Sequence, residues 1–295
     1  MRSLPQLRSF RYKLSGMPND YLRIAVFREL HQSGCFVVPN PWDVGTARYL
    51  QHLQFPALAT TSAGFAFSRG LPDSMGAITR DEMLRHIAEI VNATDLPVNA
   101  DFGSGHAHDP EGVGQNVREC IKTGVAGLSI EDATGEEGDP LYPLPLAVDR
   151  IRAARQAIDH SGSGVLLTAR AECYLVGHPN PWEESIRRLQ AYSEAGADVL
   201  YAPGVSEAEQ IQEIVKSVSP KPVNVLMSSN TGLHVTDLAQ MGVRRISVGS
   251  SLARTAWTGF IRAAKEIAEQ GSFAGFNESV PFAELNGFFQ NHSKK

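Results

Sequence analysis

Acidic side chains end two apolar segments that follow one another along the chain. Asp101 ends PVNAD (97–101), and Glu131 ends GLSIE (127–131). If the fold brings both carboxylates to one point, they can bind a hard divalent cation such as Mg²⁺ or Mn²⁺, which prefers oxygen ligands and water. Either carboxylate alone could equally cap a helix or pair with an arginine. The prediction of a metal site therefore depends on their convergence.

Arg170 ends a third apolar segment, within the sequence TARAE (168–172). A guanidinium group in such a segment is costly unless it is paired with a carboxylate or faces a polar cavity. One interpretation is a structural ion pair with Glu172 or Glu131. The other is a clamp on the carboxylate or enolate oxygen of a substrate, for which the planar fork of arginine is suited. Both interpretations stay open at this point.

Several kinds of catalysis lack the residues that they require. No lysine ends an apolar segment of this kind, as an aldolase that forms a Schiff base inside a protein cavity would need. No GxSxG motif is present to supply an activated serine. The histidines of HAH (106–108) lack the HExxH spacing of a metal pair and are interpreted as solvated loop residues.

Eight short apolar segments recur, each followed by a polar turn and a helix-like stretch with apolar residues three and four positions apart. Apolar runs without alternation are typical of strands buried on both faces, and the helices between them require parallel pairing. The predicted strands are CFVVP (35–39), ALAT (57–60), PVNAD (97–101), GLSIE (127–131), VLLTA (165–169), DVLYA (198–202), PVNVL (222–226) and RISVG (245–249).

The predicted fold class is α/β, a (β/α)₈ TIM barrel in which the active site lies at the carboxyl ends of the strands. An open doubly wound sheet is disfavoured, because the first strand runs into PNPWDVG rather than a GxGxxG turn. We predict an N-terminal tail over residues 1–20 and a single barrel domain over residues 21–295. The segment PFAELNGFF (281–289) is predicted to be an extra C-terminal helix that packs on another subunit.

Composition and charge exclude two classes of partner. A net charge of -5 and a pI near 6.0 argue against nucleic acid, whose binding needs a basic face. No apolar stretch approaches the length of a membrane span, and the start lacks the apolar core of an export signal. Three scattered cysteines without CxxC spacing fit a reducing compartment. We predict a cytoplasmic protein, with a mitochondrial location as the alternative because the start is basic.

Five segments, in this order and spacing, resemble successive motifs of the isocitrate lyase/phosphoenolpyruvate mutase superfamily. They are PNPWD (39–43), TTSAGFAFSRGLPDS (60–74), NADFGSGH (99–106), SIEDATG (129–135) and TARAE (168–172). The resemblance implies a metal-dependent barrel enzyme that acts on a small 2-oxo or 2-hydroxy di- or tricarboxylate through an enolate. It also implies a homotetramer built from dimers that exchange a C-terminal helix.

The same resemblance implies roles for individual residues. Mg²⁺, with Mn²⁺ as an alternative, would be held by Asp101, with Glu131 and Asp73 acting through water. The implied substrate-binding residues are Trp42, Thr61, Ser62, Ala63, Asp101 and Arg170, and Asn224 is added to them as a polar residue supplied by a strand end. Arg170, Glu131 and Glu172 are the implied catalytic residues, with Arg170 supporting the enolate oxygen.

The chain departs from the family pattern at two places. The second aspartate of the family, two positions after the first, is Gly103 here, so one outer contact to the metal is lost. The loop ATGEEGDPLYPL (133–144) has neither the Lys-Cys-Gly-His-type motif of enzymes that cleave isocitrate nor the lysine and asparagine of the phosphonate enzymes. Its acidic residues would repel a phosphoryl group.

Carbon–carbon lyase chemistry is the function that these departures favour. Decarboxylation of a 3-carboxy-2-oxo acid such as oxaloacetate is preferred, because a chelated metal can serve as the electron sink without a dedicated base. Retro-aldol cleavage would also need a base, for which Glu172, Tyr201 or a loop carboxylate would have to serve. Two alternatives remain: a phosphorus–carbon enzyme of the mutase or hydrolase type, and a non-catalytic barrel that binds dicarboxylates.

Overall fold

The computed structural model describes residues 19–292. Eight parallel strands form one sheet in the order β1-β8-β7-β6-β5-β4-β3-β2. They are β1 (Phe36–Val38), β2 (Leu58–Ala59), β3 (Val98–Asp101), β4 (Gly127–Glu131), β5 (Leu166–Arg170), β6 (Val199–Tyr201), β7 (Val223–Leu226) and β8 (Arg245–Ser247). β1 and β2 stand at the two ends of this order. The Ala59 N–H of β2 donates to the Pro39 carbonyl, directly after β1, at 3.1 Å. The sheet is therefore a nearly closed barrel.

Helices connect successive strands, as right-handed parallel connections require. The helices before β5 are α1 (Asn19–Gln32), α2 (Val44–His52), α3 (Ser62–Ser68), α4 (Arg80–Ala93), α5 (Pro110–Ile121) and α6 (Leu144–Ser161). Those after β5 are α7 (Pro181–Glu194), α8 (Ala208–Ser217), α9 (Val235–Gln240), α10 (Ser251–Gln270) and α11 (Phe282–His292), with a 3₁₀ turn at Ala274–Glu278.

Helix α1 closes the amino end of the barrel. Phe27 on this helix is fully buried, and a Cβ atom on Gly127 at the start of β4 would lie 2.7 Å from its ring. His31, one turn further on, packs edge-on against Phe36 at the start of β1, with ring centroids 5.0 Å apart. Because this end is filled by side chains, access to the barrel interior is left to the carboxyl end.

The predicted (β/α)₈ barrel is confirmed, and each of the eight predicted strands overlaps an observed one. Residues 1–18 of the predicted tail lie outside the described residues, whereas Asn19 and Asp20 already belong to α1. Across residues 19–292, no helix combines the length and the apolar character needed to cross a bilayer.

The extra C-terminal helix is also confirmed, as α11, and it packs on α2 of the same chain. The ring centroid of Phe288 lies 5.0 Å from that of Tyr49 and 5.3 Å from that of His52. The other surface of the C-terminal region is apolar and open, since Phe260 and Phe282 are 62% and 83% exposed. An exchange of this helix between subunits remains a prediction.

Candidate active site at the carboxyl end of the barrel

Asp101, the last residue of β3, is held at the carboxyl end of the barrel by the neighbouring β2–α3 segment. Its Oδ2 atom accepts a hydrogen bond from the Ser62 backbone N–H at 3.0 Å. Its own N–H donates to the Thr60 hydroxyl at 2.8 Å. These two bonds join the end of β3 to the start of α3. They fix the carboxylate beside the segment in which Thr61, Ser62 and Ala63 were predicted to bind substrate.

Arg170, the last residue of β5, gathers the acidic side chains of three elements. Its Nη1 atom lies 3.5 Å from Asp101 Oδ1 and 3.3 Å from Glu131 Oε2. Its Nε atom donates to Glu172 Oε1, and Nη2 donates to Glu172 Oε2 at 3.3 Å. The predicted convergence of Asp101 and Glu131 is therefore present, and both ion-pair partners considered for Arg170 are found together.

Burial and crowding of negative charge raise the pKa of Glu131 to about 8. Loss of water is the largest cause of the raised pKa. The charge of Arg170 lowers the pKa, whereas the carboxylates of Glu172, Asp101 and Asp73 raise it further. The Glu131 N–H donates to the Gly103 carbonyl at 3.0 Å, which ties β4 to the loop after Asp101. The site has more carboxylate than one guanidinium can neutralise, so it is short of positive charge.

Glu172 is positioned by a buried polar network on the outer side of the barrel. Its backbone N–H donates to Asp132 Oδ1 at 2.8 Å. Arg188 on α7 donates to Asp132 Oδ2 at 2.9 Å, and the Tyr192 hydroxyl donates to the same oxygen at 2.5 Å. All of these residues are at least nine-tenths buried. Burial raises the pKa of the Glu172 carboxyl despite the opposing charge of Arg170.

Asp73 reaches the same site from the loop between α3 and α4. Its carboxylate lies near Asp101, Arg170 and the Ser62 side chain, all of which influence its pKa. Loss of water around the carboxylate and the charge of Asp101 raise the pKa of Asp73, although the residue as a whole is exposed. Two positions further on, Met75 lies against Gly135. This loop therefore contacts the acidic loop that follows β4.

The remaining predicted substrate contacts lie at two depths. Thr61 caps α3 by accepting the Gly64 N–H at 3.1 Å, and Trp42 packs on the same turn, since a Cβ atom on Gly64 would lie 3.1 Å from Trp42 Cβ. Asn224 lies deeper, inside the barrel, and both ends of its amide already have protein partners. Its role as a direct substrate contact remains a prediction.

The donor groups fit a hard divalent cation that keeps much of its water. Asp101, Glu131 and Asp73 offer only carboxylate oxygens, which Mg²⁺ and Mn²⁺ favour over softer ions. In the part of the chain that the structure describes, no three His, Cys, Asp or Glu side chains form a complete set of direct ligands. A cation here would thus take few carboxylates directly and complete its shell with water and substrate, as Mg²⁺ commonly does.

We expect Glu131→Gln to stabilise the metal-free protein, and increasingly so as the pH rises from about 5 to 8. The pKa of Glu131 is raised on folding, so the wild type loses stability between its unfolded and folded pKa values while the glutamine variant does not. The difference in unfolding free energy should reach about 4 kcal/mol near pH 8. Urea unfolding in EDTA at several pH values measures it, and a gap that shrinks with pH would contradict it.

Comparison with known proteins identifies the family of the chain and several of its relatives. A model of the phosphoenolpyruvate phosphomutase family matches residues 27–268. Oxaloacetate decarboxylase 1 from Pseudomonas putida is 33% identical, with 77% of this chain and 78% of the relative covered. 2-Methylisocitrate lyase from Escherichia coli is 31% identical, covering 63% of this chain and 64% of the relative.

Two solved structures are similar over most of their length. A protein from Burkholderia cenocepacia J2315, described only as a lyase/mutase, is 45% identical with a TM-score of 0.89, covering 92% of this chain and 98% of that one. Oxaloacetate acetylhydrolase with its product oxalate is 25% identical with a TM-score of 0.80, covering 92% and 94% of the two chains. The fold and these relatives together define a (β/α)₈-barrel enzyme of the lyase/mutase class. The chain belongs to the phosphoenolpyruvate phosphomutase family, within the isocitrate lyase/phosphoenolpyruvate mutase superfamily.

Proposed function

We propose that this enzyme is a metal-dependent carbon–carbon lyase that decarboxylates a small 3-carboxy-2-oxo acid of the oxaloacetate type. The observation that carries the proposal is the convergence of Asp101 and Glu131 on one atom of Arg170. The similarity to oxaloacetate decarboxylase 1 supports the same substrate class. Mg²⁺, or Mn²⁺ in its place, is the proposed cofactor.

A divalent cation at Asp101 would draw electron density from a chelating 2-oxo acid as the bond between C3 and its carboxylate breaks. The backbone and side chains of residues 61–63 bind the C1 carboxylate at the start of α3. Arg170 supports the oxygen that gains charge, and Glu172 holds the guanidinium in orientation. Carbon dioxide leaves without the bonding pair, and C3 then takes up a proton.

The loop after β4 favours carbon–carbon over phosphorus–carbon chemistry. Glu136, Glu137 and Asp139 are all exposed on this loop, which lies next to the site through the Met75–Gly135 contact. Clustered negative charge there would oppose a migrating phosphoryl group. The family model itself carries the name of a phosphomutase, so a phosphorus–carbon enzyme is the second candidate.

The direct test is a panel of 2-oxo and 2-hydroxy diacids, together with phosphonopyruvate, assayed with Mg²⁺ and again after EDTA. We expect turnover of an oxaloacetate-type acid that EDTA abolishes and that Mg²⁺ or Mn²⁺ restores. Activity unchanged by chelation would reject the metal role. Turnover of phosphonopyruvate instead would favour the second candidate, and metal-dependent oxalate binding without turnover of any acid would favour a non-catalytic binder.

We propose a homotetramer as the working assembly, with the C-terminal helices exchanged between neighbours. The apolar surface of α10 and α11, which includes Trp257, Phe260 and Phe282, supports a subunit contact in this region. A monomer by light scattering at micromolar concentration would contradict it.

The three cysteines are buried and free, which supports a reducing compartment such as the cytoplasm.

A further inference from the structure

Arg245, the first residue of β8, lies inside the barrel as a cation without a counterion. It is 3% exposed, and its side chain donates to three neutral groups: Asn224 Oδ1 at 2.8 Å, Asn99 Oδ1 at 3.3 Å and Thr168 Oγ1 at 3.0 Å. Among residues 19–292, no carboxylate forms an ion pair with it. Burial of an arginine is costly when no anion pairs with it, so its charge calls for another explanation.

The partners of Arg245 lie one layer below the candidate active site. Asn99 precedes Asp101 by two residues on β3, and Thr168 precedes Arg170 by two residues on β5. Side chains two apart on a strand point to the same face and are separated by roughly 6–7 Å. The guanidinium group therefore lies directly beneath the layer that contains the carboxylates and Arg170.

A chain of neutral groups also joins Arg245 to Arg170. Asn224 Nδ2 donates to Ser247 Oγ at 2.9 Å, and Asn224 is paired in register with Tyr201 on the neighbouring strand β6. The ring centroid of Tyr201 lies 5.3 Å from Arg170 Cζ. Below Arg245, the imidazole of His31 is neutral. Its burial is the main reason why its pKa is lowered to about 3, and the charge of Arg245 lowers it further. The groups in direct contact with Arg245 are therefore uncharged, and the carboxylates of the candidate site lie one layer above it.

We infer that Arg245 is an electrostatic positioning residue whose buried charge supports binding of an anionic substrate in the layer above. The inference rests on the proposed function, because it assumes a dianionic acid at the site. Arg245 and its partners Asn99, Thr168 and Asn224 are all buried, so its field reaches the site with little screening. The same positive field opposes the binding of a cation at Asp101. Removal of the Arg245 charge should therefore strengthen cation binding and weaken anion binding.

The test compares Arg245→Gln and Arg245→Lys by calorimetry, with Mg²⁺ titrated into metal-free protein and oxalate titrated at saturating Mg²⁺. In Arg245→Gln we expect Mg²⁺ to bind on the order of tenfold more tightly and oxalate on the order of tenfold more weakly. Oxamate, with one charge fewer, should lose less affinity than oxalate. Arg245→Lys keeps the charge and should stay close to wild type for all three ligands.

A second variant covers the case in which Arg245→Gln does not fold. Asn99→Asp would place a carboxylate beside the intact guanidinium group, so it should neutralise the charge in place and change both affinities in the same directions. Arg155→Gln is the control: it removes a partly buried arginine of α6 that pairs with Asp159 and Asp198 away from the site. It should lower stability without changing either affinity.

Three results would overturn the inference: weaker binding of both ligands in Arg245→Gln or Asn99→Asp, unchanged binding of both, or a lysine variant as altered as the glutamine variant. The first would indicate a structural role, and the last would indicate that hydrogen-bond geometry matters rather than charge. Failure of the wild type to bind oxalate would contradict the proposed function instead. The Mg²⁺ titrations would then still decide the role of Arg245.

Discussion

Substituting Asp101 by asparagine should lower metal-dependent turnover by about a thousandfold while leaving the fold intact. The amide oxygen of asparagine can still accept the Ser62 N–H, which the Asp101 carboxylate accepts at 3.0 Å. It carries no charge, so the main direct ligand for a cation is lost. A loss of about 4 kcal/mol of transition-state stabilisation corresponds to this factor. Steady-state kinetics over a range of Mg²⁺ concentrations measures the loss of turnover, and circular dichroism shows whether the fold is intact.

Asp109→Asn is the matched control for this experiment. Asp109 caps α5 by accepting the Gly112 N–H at 2.8 Å, so its loss should cost at most about 1 kcal/mol of stability and leave turnover unchanged. An Asp101→Asn enzyme that kept more than a tenth of wild-type activity at wild-type Mg²⁺ concentrations would contradict the assignment of Asp101 as the metal ligand.

Replacing Arg170 by lysine should lower kcat/KM by about a hundredfold or more, even though the charge is kept. The guanidinium group contacts Glu172 through two nitrogens while a third faces Asp101 and Glu131. A lysine ammonium is a single point charge and cannot hold all three carboxylates in this arrangement. Arg170→Gln should also lose several kcal/mol of stability, because the buried Glu172 would be left without its partner.

Kinetics and thermal unfolding of both Arg170 variants separate the two effects. Arg152→Lys on α6, an exposed arginine paired with Asp149 at 3.1 Å, controls for the substitution itself and should change neither quantity. If Arg170→Lys stayed within threefold of wild-type kcat/KM, the three-carboxylate arrangement would not be needed for catalysis.

The barrel and the centre of its site follow from local sequence patterns. Each strand is a short apolar segment bounded by turn residues, and parallel pairing places the carboxyl ends of the strands at one end of the barrel. Asp101, Glu131 and Arg170 each end such a segment, so their meeting is a consequence of topology. That is why the convergence of these three side chains could be predicted from their position at strand ends.

Other parts of the site carry no comparable signal. Arg188 and Tyr192 lie on α7, in a helical pattern that gives no indication of a link to Asp132 across the barrel wall. Arg245 begins a strand, where a charged residue is ordinarily interpreted as a solvated turn, yet it points inward. Helix α1 falls partly within the predicted tail because its first residues are polar. These features depend on which helix packs on which strand, and local patterns do not encode that.

The contact between α11 and α2 connects the C-terminal helix to the mouth of the barrel. A Cβ atom on Gly45 would lie 3.3 Å from the Phe289 ring, and Gly45 is three residues after Trp42. A tag added after α11 would therefore begin close to the Phe289 ring, which packs on the first turn of α2. Expression vectors for this enzyme are better designed with the tag at the opposite terminus, and kinetic comparisons between variants should all use the same design.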